Sequence, residues 1–239
     1  GALSDPGRKR GAEPNQDRLL VLPADPRRGL PSLLIVADGM GGYGGGAVAS
    51  QKVVEAVAGR YRQAEDANDL PRLLGACLQA AFTTLKAHAA EHPDLTSMGS
   101  TAVLAAIQDN QVLVANVGDS RAYLIRGHPD QSDTPTSTGL RRIKKPSFFK
   151  IWAGFLRRKR QRKEKISTSE PISGMQQLSY DHSVVADQVR AGTITPLQAR
   201  WHPKRNRLTQ SISPKRKEIN PFIAHYPFKE DDTLILCTD

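Results

Sequence analysis

Four aspartates stand next to apolar runs, and these are the residues whose type and spacing could do chemistry. Asp38 follows the run Leu33–Ala37 in "LLIVADGMGG". Asp119 sits in a Gly-Asp-Ser turn between "QVLVANV" and "RAYLIR". Asp239 follows "LILC" in "DDTLILCTD", and Asp17 closes "PNQD" just before another apolar run. An apolar strand that ends in Asp-Gly delivers a carboxylate to a sheet edge with no bulky neighbour. The glycines after Asp38 also let an ion or a phosphate approach the main chain. Asp38 with the Gly39 carbonyl is an all-oxygen donor set, of the kind hard divalent cations prefer. No Cys/His spacing suggests zinc. Taken singly, "DGMGG" reads equally well as a glycine turn capping a helix, and "GDS" as a hairpin turn. Four carboxylates at strand termini read differently, because clustered like charges in a low dielectric repel unless cations offset them. The expectation is a multi-metal site.

The elements that must position these residues follow from periodicity. A short strand and a loop are expected within the first 17 residues. Leu19–Leu22 and Leu33–Ala37, separated by turn residues, read as a strand pair. From Ala47 to Tyr61 apolar residues recur at helical spacing. A second helix begins after a cap at Asn68 or Asp69, with Pro71 in its first turn. It carries a stripe from Leu70 to Leu85 and ends near His92-Pro93. "STAVLAAI" and "QVLVANV" form a hairpin around Asp109-Asn110, and "RAYLIR" follows. "LSYDHSVVADQVRAGTITPLQARWHP" reads as a strand end and two short helices, and Phe222–Phe228 and Thr233–Cys237 as strands. Strands, two adjacent helices, then more strands is not the alternation of a parallel sheet. Antiparallel sheets with paired helices packed outside are expected.

The 239 residues suit a single domain with a sizeable core. No run approaches the ~20 apolar residues of a membrane span, and no secretory signal is seen. The two cysteines, Cys77 and Cys237, read as reduced thiols, which points to the cytoplasm. The net charge of +10 is unevenly spread. His128–Gln176 holds 12 Lys/Arg against 4 Asp/Glu, so the remainder is near neutral and a nucleic-acid role would have to live in that segment.

The ordered set "NQD", "VADGMGG", "GSTAVLAAI", "VANVGDSRAYLI", "DHSVVADQVRAGTITPLQARWHPKRNRLTQSI" and "DTLILCTD" resembles the metal-dependent protein serine/threonine phosphatases of the PPM, or type 2C, family, the bacterial members above all. The resemblance covers nearly all of the chain outside the basic segment. It implies an α+β fold, a four-layer α-β-β-α sandwich of two antiparallel sheets flanked by helix pairs. It implies two core Mn2+ or Mg2+ ions and a third, weaker one. In that scheme Asp38 bridges the core ions, the Gly39 carbonyl binds one, Asp239 binds the second, and Asp119 binds the third. Asp17 and Gln16 hold metal-bound water. Cations that acidify a shared water would let it attack phosphorus in line, with no covalent enzyme intermediate.

The chain departs from the family pattern at several positions. Ala12 stands where the phosphate-gripping arginine of R-x-x-N-E-D is expected, so Arg10 is assigned that role, with Arg8 the alternative. Gln16 replaces a frequent glutamate. Met40 replaces the histidine of DGHGG, so water is expected to protonate the leaving group. His182 and His202 are expected to be structural. After the final aspartate the family continues with glycine, more helix and a further aspartate ligand, so the domain is expected to be truncated here and its activity reduced.

Residues 128–175 read as a Ser/Thr/Pro-flanked insert in the hairpin after "RAYLIR". Its aromatic and basic stretch, 147–165, suits an anionic membrane surface, an acidic partner protein, or a solvated loop; nucleic acid is the weaker option. Serine/threonine residues in it offer phosphorylation sites that would offset its charge. The expected partners are phosphorylated Ser/Thr proteins and a cognate Ser/Thr kinase. A monomer is expected, cytoplasmic or peripheral to the inner face of the membrane. The competing reading is a catalytically weak, phosphatase-like sensor module recruited through the insert.

Overall fold

A computed structural model describes residues 1–5, 14–42, 44–127 and 174–238. Arg8, Arg10, Asp239 and residues 128–173 of the insert lie outside these described residues. The elements are strands β1 (Asp17–Leu22) and β2 (Leu33–Met40), helices α1 (Gly45–Arg62) and α2 (Leu70–Glu91), and strands β3 (Gly99–Ser100), β4 (Ala102–Gln108), β5 (Gln111–Val117), β6 (Arg121–Ile125) and β7 (Met175–Gln177). Helices α3 (Val184–Arg190) and α4 (Pro196–Trp201) and strands β8 (Phe222–Pro227) and β9 (Thr233–Cys237) follow.

Among the described residues the strands form two antiparallel sheets. One has the order β1-β2-β4-β5-β8, with β3 added to β2, and the other has the order β7-β6-β9. Side chains alternate across a strand, and here the alternation builds two cores. Leu33, Ile35 and Ala37, with Leu104, Ala106, Leu113 and Ala115, face α1 and α2. Val103, Ala105, Val112 and Val114 face the other way, onto Ala122, Leu124 and Leu178. The result is a helix pair, a sheet and a second sheet, stacked as layers. All eight stripe residues of α2, Leu70, Leu73, Leu74, Cys77, Leu78, Ala81, Phe82 and Leu85, are buried. The Asp69 carboxylate accepts the Arg72 N–H and caps that helix, as its position predicts. Burial pushes the Cys77 thiol up to about 12, so it is a packing group and not a nucleophile. Both cysteines are free thiols.

One expectation needs correction. The strand carrying Asp38 does not stop at Ala37 but runs to Met40, because Asp38 pairs with Asp17 and Gly39-Met40 pair with Gly99-Ser100. Residues 6–13 of the segment expected to hold a short first strand lie outside the described residues, and Asp17 opens β1. Among the described residues no helix is long and apolar enough to cross a membrane.

Candidate active site

Among the described residues, Asp17, Asp38 and the turn that carries Asp119 lie at one end of the sandwich. β1 and β2 run antiparallel in a register that sets Asp17 directly opposite Asp38. Asp38 has the same strand parity as Val36, which packs into the inter-sheet core, so both carboxylates belong to the edge between the sheets. Like charges placed directly across a strand pair are destabilising, and an approaching cation reverses that sign. Asp17 is set by its own motif: its N–H donates to the Asn15 side chain at 2.9 Å. The Gln16 carbonyl accepts the Gly39 N–H at 3.0 Å, tying "PNQD" to "ADGM".

Thr101 joins Asp38 to the Gly118-Asp119-Ser120 turn. Its N–H donates to the Asp38 carbonyl at 2.8 Å, and its hydroxyl accepts the Asp38 N–H at 3.1 Å. The same hydroxyl lies 2.6 Å from the Ser120 hydroxyl. Ser100 adds a bond from its hydroxyl to the Asp38 carbonyl at 2.9 Å. Gly118 adopts φ +103°, and a Cβ there would come within 2.7 Å of the Thr101 side chain. Only glycine makes this turn while pressed against Thr101. Thr101 thus ties the Asp38 main chain to Ser120, the residue that follows Asp119.

Gly39 is needed for a different reason. A Cβ at Gly39 would overlap the Gly46 carbonyl in the first turn of α1 and lie 2.9 Å from the Gln16 carbonyl. The Gln16 Oε1 lies against Gly46 in turn, 2.5 Å from where a Cβ would be. The glycines after Asp38 thus let the start of α1 rest closely against β2, the strand that carries Asp38.

Strand β9 reaches the same end from the second sheet. Cys237 pairs with Arg121, two residues beyond Asp119. Of the sequence-predicted site residues, Asp17, Gln16, Asp38, Gly39 and Asp119 are brought together.

Several further residues support this edge, and of these only His182 was expected to be structural. His182 grips the Gly118 turn. Its N–H donates to the Gly118 carbonyl at 2.9 Å, and its Nδ1 lies 3.2 Å from the Gly118 N–H. The same Nδ1 lies 3.2 Å from the Gly118 carbonyl, so the ring clasps the polar main chain of Gly118, accepting its N–H or donating to its carbonyl according to the tautomer. Burial, with the nearby Arg190 cation, holds its pKa below the usual 6.5. Buried Asn116 accepts the Tyr180 N–H at 3.1 Å and donates to the Tyr180 carbonyl at 2.8 Å. Arg121 forms a bidentate pair with Asp181, at 3.0 and 2.6 Å to Oδ2. The Arg190 guanidinium stacks 3.7 Å over the Tyr180 ring. The signal for all of these was "YDHS", a polar cluster at a strand end.

The segment after His182 returns to the site. Ile212 bridges to Ser100, and the Ser213 hydroxyl donates to the Met98 carbonyl at 3.1 Å. Exposed Lys204, Arg205, Arg207, Lys215 and Lys217 border this return.

Residues 6–137 match the family described as Protein phosphatase 2C, and the chain belongs to that family. It is 29% identical over 211 residues to the serine/threonine phosphatase stp of Listeria monocytogenes, covering 87% of this chain and 65% of that protein. The chain thus spans about 65% of the length of this curated relative. Among solved structures, the Mycobacterium tuberculosis serine/threonine phosphatase PstP superposes with a TM-score of 0.68 at 26% identity, over 99% of this chain and 76% of that one. A structure of the PstP catalytic domain in complex with 2 manganese ions shares the fold, with a TM-score of 0.67 at 24% identity over 99% of this chain and 75% of that one.

Proposed function

We propose that this protein is a metal-dependent protein serine/threonine phosphatase, hydrolysing phosphoserine and phosphothreonine esters. The observation that carries the reading is the opposition of Asp17 and Asp38 across β1–β2, with Thr101 linking Asp38 to Ser120, the neighbour of Asp119. That is an edge of hard oxygen donors which suits Mn2+ or Mg2+ and not a thiophilic ion. Asp38, the Gly39 carbonyl and Asp239 would hold two core ions, and Asp119 a third. Such ions supply an acidified water and offset the charge of a phosphate monoester.

The chain's own residues do the rest. Asp17 and Gln16 orient water beside Asp38. Arg10 binds the phosphate oxygens, a task suited to a guanidinium fork. Met40 leaves its position without a proton donor, so the departing Ser/Thr oxygen takes its proton from water. The polypeptide from His182 to Arg205 borders the site and selects the substrate. The partners are phosphorylated proteins and the Ser/Thr kinase that modifies them. The enzyme acts as a cytoplasmic monomer, and segment 147–165 offers a contact to an anionic membrane face or an acidic protein.

The test is hydrolysis of a phosphothreonine peptide by the full-length protein with Mn2+ supplied. The reading predicts turnover that stops on chelation and falls at least a thousandfold in Asp38→Ala, roughly the loss of 4 kcal/mol of transition-state stabilisation. Turnover that survives both treatments refutes it.

A further inference from the structure

The last turn of α2 carries His88 and Glu91, and His92 caps it, a cluster outside the phosphatase site. Spacings of three and four residues put all three on one helix face. One ligand atom from each lies within 4.8 Å of the others, and all three side chains are at least partly exposed. The two imidazole rings sit 4.1 Å apart, centroid to centroid. A zinc ion held at about 2.1 Å from each nitrogen needs its donors roughly 3.4 Å apart, which small rotations of exposed side chains supply.

Two further features favour a cation. The His92 Nδ1 lies 3.0 Å from the His88 carbonyl, so a proton on Nδ1 is held there and Nε2 carries the lone pair. A backbone carbonyl fixing the tautomer of a ligating histidine is the usual outer partner in metal sites. The cluster also ends a 22-residue helix, where the backbone dipole presents its negative pole.

We propose that His88, Glu91 and His92 form a surface site for a borderline transition-metal ion of the zinc class, with water completing its coordination. Two imidazoles and a carboxylate select zinc, nickel or copper over Mn2+ and Mg2+. The site therefore differs in metal preference from the oxygen-lined edge around Asp38. It is also positioned to be felt there. Pro93–Leu95 forms a 3-10 turn directly after His92, and the Leu95 side chain lies 3.6 Å from where a Cβ on Gly45 would be, at the start of α1. An ion pinning the last turn of α2 would stiffen the support of the glycine loop. The proposal stands apart from the phosphatase reading, since it uses none of that site's residues.

The experiment is calorimetric titration of the full-length protein with zinc chloride, on the wild type and on His88→Gln, His92→Gln and Glu91→Gln. Mapping diethyl pyrocarbonate modification of His88 and His92 by mass spectrometry locates the ion. The wild type should take up one more zinc equivalent than either histidine variant, and zinc should protect both rings from modification. Losing even an outer partner weakens a metal site about 10–100-fold, so loss of a histidine ligand should cost at least that. Glu91→Gln, which keeps the helix surface intact, should weaken binding without unfolding. Equal zinc uptake by wild type and histidine variants, or unprotected rings in the zinc-loaded protein, would overturn the proposal.

Discussion

Replacing His182 tests whether one imidazole holds the Asp119 turn. In His182→Ala the buried Gly118 N–H loses the acceptor that stands 3.2 Å away. A buried donor left unpaired costs about 1–3 kcal/mol. The edge-on contact between the His182 and Tyr180 rings, 5.3 Å between centroids, is lost as well, at about 0.5–1.5 kcal/mol. The expected loss is therefore roughly 2–4 kcal/mol, or a fall in Tm of roughly 10 °C for a chain of this size. His182→Asn returns an oxygen acceptor near the position of Nδ1 and should recover about half of that loss. Urea denaturation read by circular dichroism, with m-values compared, gives both numbers. The pH dependence adds a second reading. Burial depresses the folded pKa of His182 below 6.5, so the unfolded chain binds the proton first as the pH falls. The contribution of this ring is full above pH 6.5 and is lost progressively below it. His182→Asn should flatten that part of the stability profile. An alanine variant as stable as the wild type, or an asparagine variant no better than alanine, would refute the role of His182 as the clamp on the Gly118 turn.

Other substitutions probe the rest of the edge. Thr101→Val keeps the shape but removes the hydroxyl shared by the Asp38 N–H and Ser120; it should cost about 1–3 kcal/mol in denaturation and sharply weaken Mn2+-dependent turnover. Gly39→Ala forces a methyl into the Gly46 carbonyl, so α1 must shift; about 1–3 kcal/mol of overpacking strain and loss of activity are expected, and an unchanged Tm would contradict the close approach. Asp232→Asn removes the carboxylate that pairs with Arg126 at 2.6 Å, its side chain 2% exposed, and should destabilise by about 3 kcal/mol. Burial alone would raise the Asp232 pKa, but hydrogen bonds from the Lys229 and Gly127 N–H groups and from Arg126, with its charge, bring it below 3.8. Its stabilisation is thus present above pH 3.8 and disappears as the pH falls through the lower folded value, so the variant should show a shallower acid limb in a pH-melting series.

The helix pattern was legible in α2, whose one buried face carries a single periodicity. β4 and β5 are buried on both faces and read instead as continuous apolar runs, and the bounds of β5 and β9 match theirs. The length of β2 was not legible, because "DGM" is a poor strand sequence by propensity. It is held extended by Asp17 on one side and by Gly99-Ser100 on the other, and such non-local partners leave no local signature. The aspartates could be found as strand-end carboxylates. Their meeting in space depends on the β1–β2 register and on the Thr101 bridge, which pairs residues 63 positions apart. The role of His182 was legible only as "structural". Its grip on a turn 64 residues earlier comes from tertiary packing, as does the Arg121–Asp181 pair.

The central claim is that the carboxylates at this edge form a cation centre. Its most direct test is Mn2+ binding to the full-length protein, followed by electron paramagnetic resonance of the free ion, for the wild type, Asp38→Asn and Asp119→Asn. The account predicts tight uptake by the wild type, loss of that uptake in Asp38→Asn, and loss of only the weakest equivalent in Asp119→Asn. Undiminished Mn2+ uptake by Asp38→Asn would contradict it.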